Sequence, residues 1–297
     1  MINFGEMTEA EARRWPDLWS IVEKKVKPAR LAQNRETRAK YWWRFGETSP
    51  GMTRAIQGLT RVLMHPFTSK YLAFAFVPST TVIASPHCVF AISSMSKFAV
   101  LQSRVHEIWV KLFASSMEDR IRYTMSDCFE TYPFPPSGME TQLDAAGAAY
   151  YELRARLMLK NNEGLTETYN RFHDPENNEP NILELRAHHA EMDHAVLCAY
   201  GWTDLQPSHE FLLDYEEDTQ ENDITQRRRK PWRYRWPDDF RDELLARLLE
   251  LNGRRAQEEF LAGKPTATTG IKTRSAEARK QSLSQTSMSF SPEDQSK

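Results

Sequence analysis

The sequence has 297 residues and a formal net charge of −2 at pH 7, which allows one large domain or two modest ones and gives no bulk attraction to DNA or anionic membranes. Its three cysteines are odd in number and widely separated, which argues against a disulfide framework or a thiolate zinc site. No stretch approaches the roughly 20 apolar residues that cross a bilayer, and the N-terminus does not resemble a signal peptide, so we expect a cytoplasmic protein with no membrane partner.

The first predicted element is an amphipathic helix from Thr8 to Val26. Thr8 is followed three residues later by Glu11, which is the spacing of a capping box at a helix N-terminus. Pro28 follows this helix and is expected to close it. The helix would place four apolar side chains on one face: Trp15, Leu18, Trp19 and Val22.

Residues 59–92 change to short apolar runs that are rich in β-branched and aromatic residues and are separated by prolines. This pattern predicts three or four antiparallel strands with short connections. The predicted strands are Arg61–Met64, Tyr71–Val77, Thr81–Ala84 and Cys88–Ile92.

Helical periodicity returns from Ser96 to Ala114, where one continuous amphipathic helix is predicted. Lys97, Arg104 and Lys111 are seven residues apart along its flank, so they would form a basic ridge. The composition changes again near residues 137–140, where we place a domain boundary.

The C-terminal half is predicted to be mostly helical. Two helices, Thr141–Lys160 and Asn181–Tyr200, have apolar residues at alternating steps of three and four, and we expect them to pack as an antiparallel pair. Phe211–Tyr215 and Trp232–Trp236 are predicted to form a small hairpin around a polar segment. Asp238–Leu261 is predicted as a third amphipathic helix.

The sequence offers no catalytic motif that meets the geometric needs of its chemistry. The loop of an amino-methyltransferase needs a polar residue before a Pro-Pro pair and an aromatic residue after it, and Pro135-Pro136 has neither. Asp17 with Glu23-Lys24-Lys25 imitates a nuclease metal motif, but six residues apart in a helix the two carboxylates point in different directions. Nucleophile patterns and a glycine-rich phosphate loop are also missing.

A group of candidate metal ligands lies in the second C-terminal helix: His188, His189, Glu191, Asp193 and His194. His189 and Asp193 share a helix face, but His189 also belongs to the apolar stripe, and the spacing is not that of His-Glu-x-x-His. We therefore interpret His189 as a hydrogen-bonded core histidine beside a solvated face, and we expect no metal in this chain.

Charge is distributed unevenly along the sequence. Nine Lys or Arg and two acids lie between Lys27 and Lys70, whereas fourteen acids and one base lie between Asp174 and Asp223. This asymmetry is expected if only the front of the chain meets a polyanion, although a solvated surface is an equally good interpretation. The candidate DNA-contacting residues, as phosphate anchors or base readers, are Arg44, Arg54, Arg61, Lys70, Lys97, Arg104, Lys111, Arg120, Arg122 and Tyr123.

Several long runs are spread over residues 1–263. They include Arg14-Trp15-Pro16, Tyr41-Trp42-Trp43-Arg44-Phe45-Gly46, Ser69-Lys70-Tyr71-Leu72-Ala73-Phe74, Arg122-Tyr123-Thr124-Met125-Ser126-Asp127 and Tyr169-Asn170-Arg171-Phe172-His173-Asp174. Together these runs resemble the target-recognition domain and the C-terminal helical segment of MmeI-like restriction-modification proteins. Members of that family fuse an adenine-specific DNA methyltransferase, and often a nuclease, to a specificity module.

The residue patterns and the resemblance together predict an α+β fold, with a short antiparallel sheet and flanking helices followed by a helical C-terminal domain. Residues 264–297 have a single aromatic residue and are rich in polar residues, so we expect a disordered tail there. We predict a helical connector over residues 1–26, a target-recognition domain over 27–136, a helical domain over 137–263 and a tail over 264–297. The implied function is sequence recognition in double-stranded DNA. No cofactor is expected in this chain, because S-adenosylmethionine would belong to the methyltransferase core, which the resemblance places before Met1.

Two other interpretations stay open. In the first, the chain is a truncated or split fragment that needs a separate methyltransferase chain, and exposed apolar surface around Trp15, Trp19 and Trp42 would mark the missing interface. In the second, it is a protein-interaction or adaptor module whose acidic half binds a basic partner. Since the sequence contains no catalytic motif, we assign no enzymatic activity to this chain alone.

Overall fold

The computed structural model describes residues 2–46, 49–83, 85–117, 120–214 and 231–263. Helices and short antiparallel sheets are both present in these ranges, which confirms the predicted α+β class. The predicted tail and the polar segment at 215–230 lie outside the described residues. No helix in the described ranges is both long enough and apolar enough to cross a membrane.

The helices of the described residues differ widely in length. The three longest lie in the C-terminal half and contribute side chains to the main core, whereas those near the N-terminus have only four to ten residues. They are α1 (Glu9–Ala12), α2 (Pro16–Lys25), α3 (Lys27–Leu31), α4 (Glu36–Lys40), α5 (Pro50–Ala55), α6 (Met95–Gln102), α7 (Arg104–Phe113), α8 (Glu140–Asn161), α9 (Leu165–Phe172), α10 (Pro180–Ala199) and α11 (Asp238–Leu261).

The strands of the described residues are short and pair only in the antiparallel sense. They are β1 (Arg61–Pro66), β2 (Thr68–Ser69), β3 (Ala75–Pro78), β4 (His87–Phe90), β5 (Ser115–Met117), β6 (Arg120–Arg122), β7 (Glu210–Leu213) and β8 (Trp232–Arg235). Three sheets result, with the orders β3-β1-β4, β2-β6-β5 and β7-β8. The last of these is the predicted C-terminal hairpin, with Phe211 opposite Tyr234.

One predicted strand near the front is wrong. Residues 81–83 of the predicted strand Thr81–Ala84 form an irregular connection, and Ala84 lies outside the described residues. Val82 is 38% exposed, so this β-branched run gains little burial, and β propensity without burial does not make a strand. The predicted strand Tyr71–Val77 is also shorter than expected, because pairing with β1 begins only at Ala75.

The predicted helix from Thr8 to Val26 is wrong as a single element, because the chain divides it into α1 and α2. The capping box is confirmed, since the Thr8 N–H donates to Glu11 Oε2 at 2.8 Å and the Glu11 N–H donates to Thr8 Oγ1. Pro16 stands in the first turn of α2 and disfavours helical geometry at the residue before it. Pro28 likewise stands in the first turn of α3, so it begins a helix instead of ending one.

The predicted helix from Ser96 to Ala114 is also two helices, α6 and α7, which are separated at Ser103. Ser103 has an extended backbone, and its hydroxyl accepts from the His106 N–H at 3.5 Å. The Arg104 N–H is another donor in the first turn that has no acceptor within the helix, and it donates to the buried carboxylate of Asp193 at 2.8 Å. The seven-residue spacing of the basic residues therefore does not describe one continuous ridge.

One main hydrophobic core includes residues from both sides of the boundary that we predicted near residue 137. Phe74 and Phe98 precede that boundary and Tyr150, Leu185 and Leu244 follow it, yet all five belong to the same buried cluster. Helix α8 packs against both α6 and α10. The division into two domains stays a prediction, while the helices α8, α10 and α11 begin and end within one residue of their predicted bounds.

A second, separate hydrophobic cluster holds the helices of residues 2–46, which we call the N-terminal unit. Its buried members are Phe4, Ala12, Trp19, Val22 and Trp42. Of the four side chains predicted on one helix face, only Trp19 and Val22 are buried, whereas Trp15 is 56% exposed and Leu18 is 40% exposed. The unit therefore has a small core and an uncovered apolar face.

Candidate nucleic-acid interface

The small sheet β2-β6-β5 presents two arginines on its outer side. Strand β6 is the middle strand, and its Arg122 lies opposite Thr68 of β2. Arg120 and Arg122 are two residues apart, so they share a face of the strand, and both are exposed. Ile121, between them, packs against the main core. Neither arginine makes an ion pair within the described part of the chain.

Strand β6 is fixed to the core by the residue that follows it, Tyr123. The Tyr123 N–H donates to the Phe67 carbonyl at 2.8 Å, and the Phe67 N–H donates to the Pro86 carbonyl at 2.9 Å. The Tyr123 hydroxyl lies 3.3 Å from His106 Nε2. Burial raises the pKa of Tyr123 well above its ordinary value and lowers the pKa of His106 to about 4. His106 Nδ1 lies 2.8 Å from the Leu101 carbonyl oxygen, and its Nε2 lies 3.2 Å from the Cys128 carbonyl oxygen.

Two of the predicted DNA-contacting residues are buried. Tyr123 is 1% exposed and Arg104 is 4% exposed, so neither side chain has surface to offer to a duplex, and we withdraw both from the candidate interface. Arg104 lies instead beside acids, with its Nη1 3.4 Å from Glu107 and its Nε 3.7 Å from Asp193. The sequence spacing could not reveal this, because Asp193 is 89 residues further along the chain.

Asp193 is the centre of a buried charged cluster. Asp193 accepts a hydrogen bond from the Arg104 N–H. Its Oδ2 also lies 3.1 Å from His189 Nδ1 and 3.3 Å from His209 Nε2. Burial alone would raise the pKa of Asp193, but His189, His209 and Arg104 together hold it well below its ordinary value. The interpretation of His189 as a hydrogen-bonded core histidine is confirmed. The described residues contain no group of three His, Cys, Asp or Glu placed to hold a metal ion.

The other members of the predicted basic ridge do not meet on one surface. Lys111 Nζ lies 2.8 Å from Asp214, in the acidic half of the chain. Lys97 is exposed on α6, and its Nζ lies 4.8 Å from the centre of the Phe134 ring. Lys70, which was predicted from the strand region, donates to Asn170 Oδ1 at 2.9 Å. Two of these three lysines are therefore engaged by the C-terminal half.

The three remaining candidates, Arg44, Arg54 and Arg61, lie on different elements. Arg44 donates from Nε and Nη2 to two backbone carbonyls near the N-terminus, at 3.0 and 2.7 Å. Arg61 donates from Nε and Nη2 to the Ser93 carbonyl, at 3.0 and 2.8 Å. Arg54 is exposed on α5 and lines a shallow groove. Arg44 and Arg61 therefore have internal hydrogen bonds, whereas Arg54 is open to solvent.

Of the ten candidates, Arg120 and Arg122 are the pair that the structure places side by side on one exposed surface. The alternation of basic, apolar and basic residues over 120–122 was the available signal for this strand, because successive side chains of a strand point to opposite faces. The sequence analysis did not identify Thr68 as the residue opposite Arg122, or Phe67 as the acceptor of the Tyr123 N–H. No local signal indicates them, since their partners on β6 are more than 50 residues away.

The chain is similar to known proteins in sequence over its front part and in fold over most of its length. Residues 2–136 match the family model described as MmeI, target recognition domain. The fold is similar to the solved structure of the type IIL restriction-modification enzyme MmeI in complex with DNA, with a TM-score of 0.58 and 21% sequence identity. That match covers 85% of this chain and 28% of the MmeI chain. No curated protein matches the sequence.

Proposed function

Because residues 2–136 are an MmeI-like target recognition domain, we propose that the chain recognises a sequence in double-stranded DNA as the specificity module of a restriction-modification enzyme. Adenine methylation, with S-adenosylmethionine as the methyl donor, would be the task of a methyltransferase domain or chain that works with this one. We expect the module to act in the cytoplasm, where it meets chromosomal or incoming DNA.

The observation that carries this proposal is the pair of exposed arginines on β6. The major groove of B-DNA admits a narrow β ribbon, and an Arg guanidinium can donate two hydrogen bonds to O6 and N7 of a guanine. Side chains at positions i and i+2 of a strand are separated by about 6.8 Å, which is close to two base-pair steps of about 3.4 Å. Arg120 and Arg122 therefore have the spacing to address two bases that are about two steps apart.

The support beneath β6 favours base reading over loose phosphate contact. Ile121 is packed into the main core, and Tyr123 is held through both its backbone and its hydroxyl, so the strand cannot tilt without breaking buried contacts. A binding residue mounted on such a supported strand reaches its partner with a fixed geometry, and bidentate hydrogen bonds require that geometry.

The other candidates have secondary roles in the proposal. Lys97 and Arg54 are exposed and are available for phosphate contacts. Arg44, Arg61, Lys70 and Lys111 already have protein partners, so they would have to exchange those contacts for contacts with DNA. We therefore place the base-reading function on β6 and leave these residues as auxiliary contacts.

Selection from a pool of randomised duplexes tests the proposal. The unaltered chain should enrich one sequence motif, and Arg120→Ala and Arg122→Ala should each relax the preference at one position. Loss of one bidentate pair should reduce discrimination against the wrong base by about 1–3 kcal/mol. Arg156→Ala, at an exposed arginine of α8, is the matched control and should leave the motif unchanged. If both β6 variants enrich the same motif as the unaltered chain, β6 is not the reading element.

A second candidate function is that of an adaptor subunit that binds a separate methyltransferase chain. It is favoured by the uncovered apolar face of α2, where Trp15, Leu18 and Ile21 are each at least 40% exposed. The interface predicted around Trp19 and Trp42 needs correction, because both are buried in the small N-terminal cluster. A bound partner should shield Trp15 from aqueous quenchers of fluorescence, and unchanged quenching in a mixture of the two chains would argue against this function.

A further inference from the structure

The last turn of α2 and the segment that follows it carry a strong excess of positive charge. Residues 24–44 contain eight basic side chains and one acid, Glu36, so eight positive charges minus one negative charge leave a net charge of +7 over 21 residues. Helix α3 packs against both α2 and α4, which keeps these residues in one contiguous unit. The basic residues are Lys24, Lys25, Lys27, Arg30, Arg35, Arg38, Lys40 and Arg44.

Part of this charge is paired with acids, and part of it is not. Lys27 pairs with Glu23 at 2.9 Å. Four others share two properties: their side chains are exposed, and they make no ion pair within the described residues. These four are Lys24, Lys25, Arg35 and Lys40. In the C-terminal half, Arg171 and Arg247 each pair with two carboxylates.

Two arginines of the same segment meet over Gly46. A Cβ added to Gly46 would lie 2.9 Å from Arg30 Nη1 and 2.8 Å from Arg38 Nε, so both guanidinium groups approach the same point of the backbone. Glycine leaves the room for this convergence.

We infer that residues 24–46 form a second DNA surface, which contacts backbone phosphates and reads no sequence. Duplex DNA carries one negative charge per about 1.7 Å of its axis, so it can offset an extended patch of unbalanced positive charge. Exposed lysines on short helices suit this role, because a flexible ammonium group meets a phosphate as a point charge and needs no fixed orientation. The choice of duplex DNA as the polyanion rests on the proposed function, whereas the positive surface itself does not.

Salt-dependent binding to duplexes of unrelated sequence tests the inference. The variant Lys24→Gln/Lys25→Gln/Lys40→Gln removes three exposed charges from the segment. The logarithm of the association constant should then depend less steeply on the logarithm of the salt concentration, by about 0.9 for each phosphate that the variant no longer neutralises. Affinity should fall by the same factor for every duplex, and the motif enriched from a random pool should not change.

The matched control removes the same charge from helices outside the segment. Arg156→Gln/Lys160→Gln/Arg254→Gln alters three exposed residues of α8 and α11 and should leave the salt dependence unchanged. Circular dichroism and thermal melting establish that both triple variants are folded. If the first variant fails to fold, the single variant Lys40→Gln should still reduce the slope by about 0.9.

The outcomes separate this inference from the proposed function. An unchanged slope in the first triple variant, while Arg120→Ala still alters the motif, overturns the inference and leaves the proposed function in place. A reduced slope in a chain that enriches no motif supports the inference and removes sequence recognition. Unchanged duplex binding together with abolished binding to phosphatidylserine vesicles would assign the surface to anionic membranes and overturn the inference.

Discussion

The N-terminal unit and the body of the molecule, which we define as residues 61–263, bury their side chains in different ways. The N-terminal unit relies on five buried residues and leaves apolar and positive side chains exposed. The body has one large core and also buries arginines such as Arg154 and Arg186, which donate to backbone carbonyls. The body can thus hold its side chains in a fixed geometry, whereas the N-terminal unit keeps more of its side chains exposed.

Arg154 illustrates how the body holds its parts together. It is 2% exposed, and its guanidinium donates to Gln102 Oε1 at 3.1 Å, to the Tyr169 hydroxyl at 3.0 Å and to the Phe74 carbonyl at 2.6 Å. These partners belong to α6, α9 and the segment that precedes β3. One side chain on α8 thereby connects elements from both sides of the predicted domain boundary.

The largest effect is expected from breaking the charged cluster in the body. Asp193→Asn leaves Arg104 buried without a charged partner at Asp193, and removal of one member of a buried ion pair lowers the free energy of unfolding by about 3–5 kcal/mol. Urea denaturation measures this change. Glu152→Gln, at an exposed carboxylate of α8, is the control and should change stability by less than about 0.5 kcal/mol. Equal stability of the two variants would show that the cluster contributes little to the body.

A smaller and local effect is expected in the N-terminal unit. Trp19→Ala removes one of the two tryptophans of the five-residue cluster and should destabilise that unit by about 3 kcal/mol. Hydrogen exchange should become faster in residues 2–46 and stay slow in the body, because the two clusters are separate. The exposed Trp15→Ala is the control, with little expected change in exchange. Faster exchange throughout the body would contradict the independence of the two regions.

The smallest effect in this series concerns mild acid and should affect the body alone. Burial lowers the pKa of His65 and of His106 to about 4, whereas the same groups titrate near 6.5 in the unfolded chain. Their contribution to stability is complete above about pH 6.5 and declines as the pH falls toward 4, because the unfolded chain then binds protons that the folded chain does not. Between pH 6 and pH 5, the two residues together should lower the free energy of unfolding by about 2 kcal/mol.

The N-terminal unit supplies an internal control for this acid effect, because residues 2–46 contain no histidine. Hydrogen exchange measured at pH 5 and pH 6, and corrected for the intrinsic exchange rate, should differ in the body and not in the N-terminal unit. A stability of the body that does not change over this pH range would mean that the two buried histidines are already protonated in the fold.

Sequence reasoning worked where a pattern is local and failed where a distant residue decides the outcome. The three long C-terminal helices were predicted nearly to the residue, because their apolar periodicity continues for more than five turns. The break at Ser103 was missed, although Ser103 caps α7 locally, and its second support is distant, because the Arg104 N–H donates to a carboxylate 89 residues further along the chain. No strand was predicted at 120–122, although the alternation of basic and apolar residues there was a local signal for it. The burial of Arg104 had no local signal, because its partner Asp193 is distant in sequence.

The alternation along β6 also has a consequence for how such a module can change over generations. The side chains at positions 120 and 122 point outward and touch nothing in the core, whereas 121 and 123 carry the structural contacts. New residues can therefore replace either arginine without repacking the interior, so under the proposed function the preferred DNA sequence could change while the stability of the fold is kept.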